Sequence, residues 1–232
     1  MIPENIEKVR HRIVHACQKS GRKPSEVTLL AVSKTFPADF VREAARAGVR
    51  DIGENYVQEL VAKRELLPLE DIRWHFIGHL QTNKVKYIAD WIYLIHAVDN
   101  VGLARELNKR AAKAARKISI LIEVNTTGES SKFGLRPEDT VGFVKTLDGL
   151  ENLVVSGLMT IGPFLPDPEG SRPMFRELRK LRDRIAQLEQ GNVEMAHLSM
   201  GMTGDFEVAI EEGATIVRIG TAIFGSRTGK PN

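Results

Sequence analysis

Short runs of β-branched and aliphatic residues alternate along this chain with longer stretches whose apolar positions recur at helical spacing. Runs of four to eight such residues read as strands, and apolar residues at i, i+3, i+4 and i+7 read as amphipathic helices. The strand candidates are 28–33 (TLLAVS), 51–53, 74–77, 91–96, 119–125, 153–158, 195–199 and 215–219, eight in all. Helical spacing marks 37–47, 55–66, 100–116, 137–147, 173–190 and 204–212, after a leading helix over 3–20 that stops at Ser20-Gly21. The 173–190 segment carries Phe175, Leu178, Leu181, Ile185 and Leu188 as one apolar stripe.

Strands alternating with helices predict a parallel sheet. Eight such units in one chain predict an α/β fold, a single (β/α)8 TIM-type barrel with an extra N-terminal helix. The competing architecture is an open doubly wound sheet, which usually carries a glycine-rich turn after its first strand. Here that strand runs into Ser33-Lys34-Thr35-Phe36-Pro37, without glycine, which favours the barrel. No linker or repeat divides the chain, so residues 1–232 are expected to form one domain, with 226–232 as a flexible tail. The loop 162–173 holds four of the ten prolines and is placed to cover one edge of a site.

Composition removes several alternatives. Lys plus Arg is 33 against 30 for Asp plus Glu, a net charge of +3, and 42 % of residues are hydrophobic. One cysteine, Cys17, cannot form an intramolecular disulfide, which favours a reducing, cytoplasmic setting. No apolar run approaches the ~18 residues that cross a bilayer, and the first residues lack a signal-peptide pattern. Lys109, Arg110, Lys113, Arg116 and Lys117 lie opposite Leu103, Leu107 and Ala111. They read as a solvated helix face, with a phosphate or RNA patch as the alternative. No nucleic-acid or membrane partner is expected.

A barrel builds its site at the C-terminal ends of its strands. That rule selects Lys34, Glu54, Asn55, Gly78, His79, Asn125 with Lys132 nearby, Met159, Thr160, Ser199, Met200, Gly201, Gly220 and Thr221. Lys34 has two readings. Desolvation at the barrel mouth would lower its pKa and free an amine to attack an aldehyde, or its stem snorkels to water. The loops after strands seven and eight commonly hold phosphate in this fold. Here they offer Ser199, Gly201, Gly220 and Thr221, or else two turns needed only for packing, with Thr203 or Asp205 capping the next helix. Arg218, within the last strand, has Glu123 or a ligand's ring nitrogen as candidate partners. His75 and His79 fall on a strand and turn, so their i, i+4 spacing does not converge on a metal. Cys17 reads as a packing residue.

These residues sit in longer motifs: Leu30-Ala31-Val32-Ser33-Lys34-Thr35, Gly53-Glu54-Asn55-Tyr56-Val57-Gln58-Glu59 and Trp74-His75-Phe76-Ile77-Gly78-His79-Leu80-Gln81-Thr82-Asn83-Lys84. Further on come Ser131-Lys132-Phe133-Gly134, Gly157-Leu158-Met159, Leu198-Ser199-Met200-Gly201-Met202 and the run 217–225 from Val217 to Gly225. In them the chain resembles the pyridoxal phosphate homeostasis proteins, small fold-type III barrels related to the N-terminal domain of alanine racemase. The resemblance implies pyridoxal 5'-phosphate (PLP) as cofactor, with Lys34 carrying it as an internal aldimine and Arg218 beside its pyridine nitrogen. It implies phosphate ligation by Ser199, Gly220 and Thr221, a supporting turn at Gly201, and Asn55 as a polar neighbour of the ring. It also implies a monomeric, cytoplasmic PLP carrier without catalytic residues, which keeps the free cofactor low and delivers it to apo-enzymes, with effects on amino-acid and keto-acid balance. The alternatives are a weak PLP-dependent amino-acid racemase and a cofactor-free sugar-phosphate enzyme. Racemases of this fold add a second, β-rich domain and a partner subunit to supply an opposing base, and the chain is expected to lack that wall. Lys132 stands as an alternative amine at the pocket mouth.

Overall fold

The computed structural model describes residues 1–68, 71–129, 133–163 and 165–226. The helix α1 (Ile2–Lys19) precedes β1 (Thr28–Val32), α2 (Ala38–Arg46), β2 (Asp51–Glu54), α3 (Val57–Leu66) and β3 (Arg73–Phe76). Then follow β4 (Leu94–Val98), α4 (Val101–Lys113), β5 (Ile118–Glu123), α5 (Pro137–Lys145) and β6 (Leu153–Met159). The chain continues through α6 (Arg172–Ile185), β7 (Val193–Ser199), α7 (Phe206–Glu211), β8 (Ile216–Ile219) and α8 (Thr221–Phe224). The eight strands form a closed barrel in chain order, and every pairing is parallel. The expected TIM-type barrel with an added N-terminal helix is therefore what this chain forms.

Strand side chains alternate between barrel lumen and helix layer. Leu30, Val32, Ile77, Leu94, Leu121, Met159 and Ile216 fill the lumen. Their outward neighbours, such as Ala31, Ile52, Phe76 and Ile95, join the helices in a larger core. The buried stripe of α6 is Phe175, Leu178, Leu181 and Ile185, which the sequence spacing anticipates. The α1 helix buries Ile6, Val9, Ile13 and Cys17. It is tied to α8 by Asn5 Nδ2 donating to Ile223 O at 3.0 Å, and to α7 by the Arg12–Glu207 ion pair at 2.6 Å. Cys17 is a packing residue, and burial pushes its thiol pKa up.

Three elements differ from the sequence pattern. β4 starts at Leu94, not Trp91, because the Trp91 and Ile92 amides still donate back to Ile88 O in a turn. The connection after β3 is a 3-10 turn over Thr82–Tyr87 in place of an α-helix. α8 spans only four residues, too few to show a period. Lys132 and the tail 227–232 lie outside the described residues.

Candidate functional site

At the C-terminal mouth of the barrel lies a cavity of about 270 Å3. Lys34 from the β1 loop, Asn55 from the β2 loop, Arg218 at the end of β8, and Gly220 and Thr221 after it all line it. Val32, Ile77, Phe36 and Ile161 supply apolar wall, and Met202, Thr203 and Gly204 close the β7 side. Five of the seven anticipated residues thus share one pocket.

Lys34 is half-buried, and its backbone neighbours are pinned. The Ser33 carbonyl accepts from Lys63 Nζ at 2.7 Å, and Ser33 Oγ donates to Glu54 Oε1 at 2.5 Å. Lys63 Nζ also meets Glu54 Oε1 at 2.6 Å, a pair buried between the barrel and α3. Burial raises the Glu54 pKa despite Lys63 and Ser33. On the other side of Lys34, the Thr35 amide donates to Glu59 Oε2 at 2.8 Å. Thr35 holds φ at 69°, a strained value for a β-branched residue, costing about 1–3 kcal/mol. The Glu59 contact and the buried pair hold that turn, which presents Lys34 at the mouth. Lys63 was not selectable from sequence, because a lysine at i+4 from Glu59 reads as an exposed helix pair.

Arg218 is buried at the floor of the cavity. Its Nη1 donates to Ser199 O at 2.7 Å and Ser199 Oγ at 2.8 Å, and its Nη2 donates to Thr160 O at 2.8 Å. Of its five N–H groups, two therefore have no acceptor among the described residues. Burial pulls its pKa down to about 10, which leaves it charged at neutral pH. Of its two candidate partners, Glu123 makes no ion pair with it among the described residues and feels it only through space. Glu123 is pushed up to about 7 by burial and by Asp99, against the pull of Arg218.

Ser199 and Gly201 do not line the cavity. Ser199 is fully buried one layer down, bonded to Arg218 and 2.9 Å from His96 Nδ1. Gly201 has φ +90°, and an added Cβ would sit 2.6 Å from Ala209 Cβ. The loop after Gly201 is closed by Asp205, whose Oδ1 accepts from the Met202 amide at 2.7 Å. Asp205 occupies the N-cap position of α7, yet its carboxylate serves the preceding loop and not the helix. Ser171 Oγ donates to Asp205 Oδ2 at 3.1 Å, so the proline-rich loop braces this wall. On the β2 side, Asn55 Oδ1 is buried without a hydrogen-bond partner. A Cβ on Gly78 would lie 2.3 Å from the Asn55 carbonyl oxygen, so only glycine lets the β3 turn pass that close.

The remaining candidates fall elsewhere. Asn125 organises its own loop, accepting from the Thr127 amide at 3.1 Å and donating to Glu129 O at 2.8 Å. His79 stacks on Phe133 at 4.4 Å, while His75 points into the lumen toward His96 and Asp51. One aromatic feature went unforeseen: Phe36, on the cavity wall, packs against Phe40 and Phe224 at 5.4 and 5.3 Å.

An amine, a buried cation, an orphaned amide oxygen and a glycine-lined wall at one barrel mouth define a class: an α/β barrel with a polar small-molecule pocket at the C-terminal ends of its strands. Residues 5–228 match the family model "Alanine racemase, N-terminal domain". The chain is 50 % identical to a pyridoxal phosphate homeostasis protein from Aquifex aeolicus, over 97 % of both chains. It belongs to the pyridoxal phosphate homeostasis protein family. A crystal structure of an unknown protein from Bifidobacterium adolescentis superposes with a TM-score of 0.90 at 38 % identity, covering 96 % of this chain and 94 % of that one. PipY of Synechococcus elongatus with PLP bound superposes with a TM-score of 0.84 at 33 % identity, covering 97 % and 100 %.

Proposed function

We propose that this chain binds PLP covalently through Lys34 in the barrel-mouth cavity, and that it stores and delivers the cofactor without turning over a substrate. The observation that carries this reading is the convergence of Lys34, Asn55, Arg218, Gly220 and Thr221 on one cavity. When bound, PLP supplies an aldehyde that condenses with amines and a ring that can accept electrons. The residues present fit it. The unpartnered Asn55 Oδ1 and the two open N–H groups of Arg218 are polar groups that a ligand would satisfy. A Cβ at Gly204 would meet nothing within 4 Å, which leaves that wall open to an anion.

Each residue then has a task. Lys34 holds the carbonyl carbon. Gly220 and Thr221 receive the phosphate with the 202–204 turn, Gly201 permits that turn, and Ser199, one layer down, braces Arg218 rather than the phosphate. Asn55 orients the ring edge. Arg218 faces the ring nitrogen as a permanent donor. A donor there leaves that nitrogen without a proton, which makes the ring a weaker electron sink and disfavours carbanion chemistry. This supports storage over catalysis. Recipients on this reading are apo-enzymes that need the cofactor.

Titration of purified protein with PLP tests the reading by visible absorption. A saturable band is expected in wild type, and it is absent in Lys34→Ala. Incubation with candidate amino acids in deuterium oxide separates storage from racemisation. No exchange at the α-carbon is expected, and exchange at an enzymatic rate would favour a weak racemase instead.

A further inference from the structure

Beneath the cavity, five strands place polar side chains end to end inside the lumen. Arg218 Nη1 on β8 donates to Ser199 Oγ on β7 at 2.8 Å. Ser199 Oγ lies 2.9 Å from His96 Nδ1 on β4. His96 Nε2 lies 2.9 Å from His75 Nδ1 on β3, and His75 Nε2 lies 2.9 Å from Asp51 Oδ1 on β2. Arg73 closes the far end on Asp51 Oδ2 at 2.5 Å. All five residues from Arg218 to Asp51 are buried.

The two ends dictate where every hydrogen between them sits. A guanidinium only donates, and an ionised carboxylate only accepts. Ser199 Oγ accepts from Arg218 and gives its own hydrogen to His96 Nδ1. That nitrogen is left bare when a neutral His75 donates to Asp51 and accepts from His96. His96 thus carries its hydrogen on Nε2, facing His75 Nδ1. His75 likewise carries its hydrogen on Nε2 and delivers it to Asp51. The reverse order would set a bare imidazole nitrogen against a carboxylate in a buried site, which costs more than one lost hydrogen bond. Burial also pushes both imidazole pKa values down, that of His96 well below the usual range, which keeps both rings neutral. At the far end, burial opposes ionisation of Asp51, but the bonds from His75 and Arg73 overcome it and hold its pKa below the ordinary value.

We propose that Asp51, His75 and His96 are positioning residues for Arg218, forming a one-way chain of neutral imidazoles that anchors the guanidinium and sets the donors it presents to the cofactor. The proposal rests on the PLP reading of the cavity. The Ser199 and Thr160 carbonyls hold two of the Arg218 hydrogens whatever the histidines do. The third bond, to Ser199 Oγ, is oriented by the acceptor that His96 gives the serine hydrogen.

Nitrogen-15 NMR of imidazole-labelled protein reads the tautomers with no cofactor present. At neutral pH both His75 and His96 are expected as neutral Nε2–H rings. An imidazolium, or an Nδ1–H tautomer at either residue, overturns the proposal whether or not PLP binds. PLP binding supplies the second readout. His96→Leu keeps the volume and removes the link, and is expected to weaken PLP binding about five-fold and to shift the bound cofactor's visible band. His96→Gln offers an acceptor toward Ser199 and a donor toward His75, and is expected to restore most of both. Equal behaviour of the two variants overturns the proposal. If the leucine variant does not fold, the wild-type tautomers decide.

Discussion

Gly201 holds φ at +90°, and a Cβ there would come within 2.6 Å of Ala209 Cβ and 2.9 Å of Phe206 Cα. Gly201→Ala therefore combines left-handed strain with overpacking and is expected to cost about 3 kcal/mol in urea unfolding. The same change displaces the 202–204 wall and weakens PLP binding. Unchanged stability would show that the turn is not constrained as described. Glu123 gives a pH signature. Its pKa rises from 4.5 to about 7 in the folded chain. The native state thus keeps a proton that the unfolded chain has lost between those values. Stability from this group is full below about pH 4.5 and falls as pH rises through 7, by about 3 kcal/mol. Glu123→Gln should flatten that fall and exceed wild-type stability at pH 8, and an unchanged pH profile would contradict the assignment. At this scale the sequence exposes Lys34, Asn55, Gly220 and Thr221, because position at a strand end is readable along one chain. It exposes Arg218 because a charge inside an apolar strand needs an internal partner. Lys63, His96 and the role of Ser199 are not readable, since their partners lie on other strands.

Helices here are held by what they cover. α1 lays Ile6 and Val9 into the core beside α7 and α8, and Ile6 is fully buried. Ile6→Ala is expected to lower stability by about 3 kcal/mol through lost burial and a residual cavity, read by thermal unfolding. An effect below about 0.5 kcal/mol would mean that α1 is not part of the cooperative core. The apolar stripes that make α1 and α6 cohere are the same stripes that make them legible. Failure came where the signal is weak. The apolar pair Trp91-Ile92 belongs to a turn yet reads as a strand start, and α8 is shorter than one full repeat of its stripe. These boundaries depend on hydrogen bonds, such as the Ile92 amide to Ile88 O, that periodicity does not encode.

On the scale of the whole molecule, barrel closure does what no single segment can. It brings the loop after β1 against the end of β8, through the pairing of Thr28–Ala31 with Ile216–Ile219. Lys34 and Arg218, far apart in sequence, become walls of one cavity. Alternation of strands and helices made that closure foreseeable. The lumen's polar chain was not, because it needs the register of five strands at once. The account as a whole depends on where the cofactor becomes attached. Borohydride reduction of the PLP-saturated protein followed by peptide mapping locates that attachment directly. A single pyridoxyl adduct on Lys34, lost in Lys34→Ala, is the predicted result. An adduct confined to other lysines, or none at all, would contradict it.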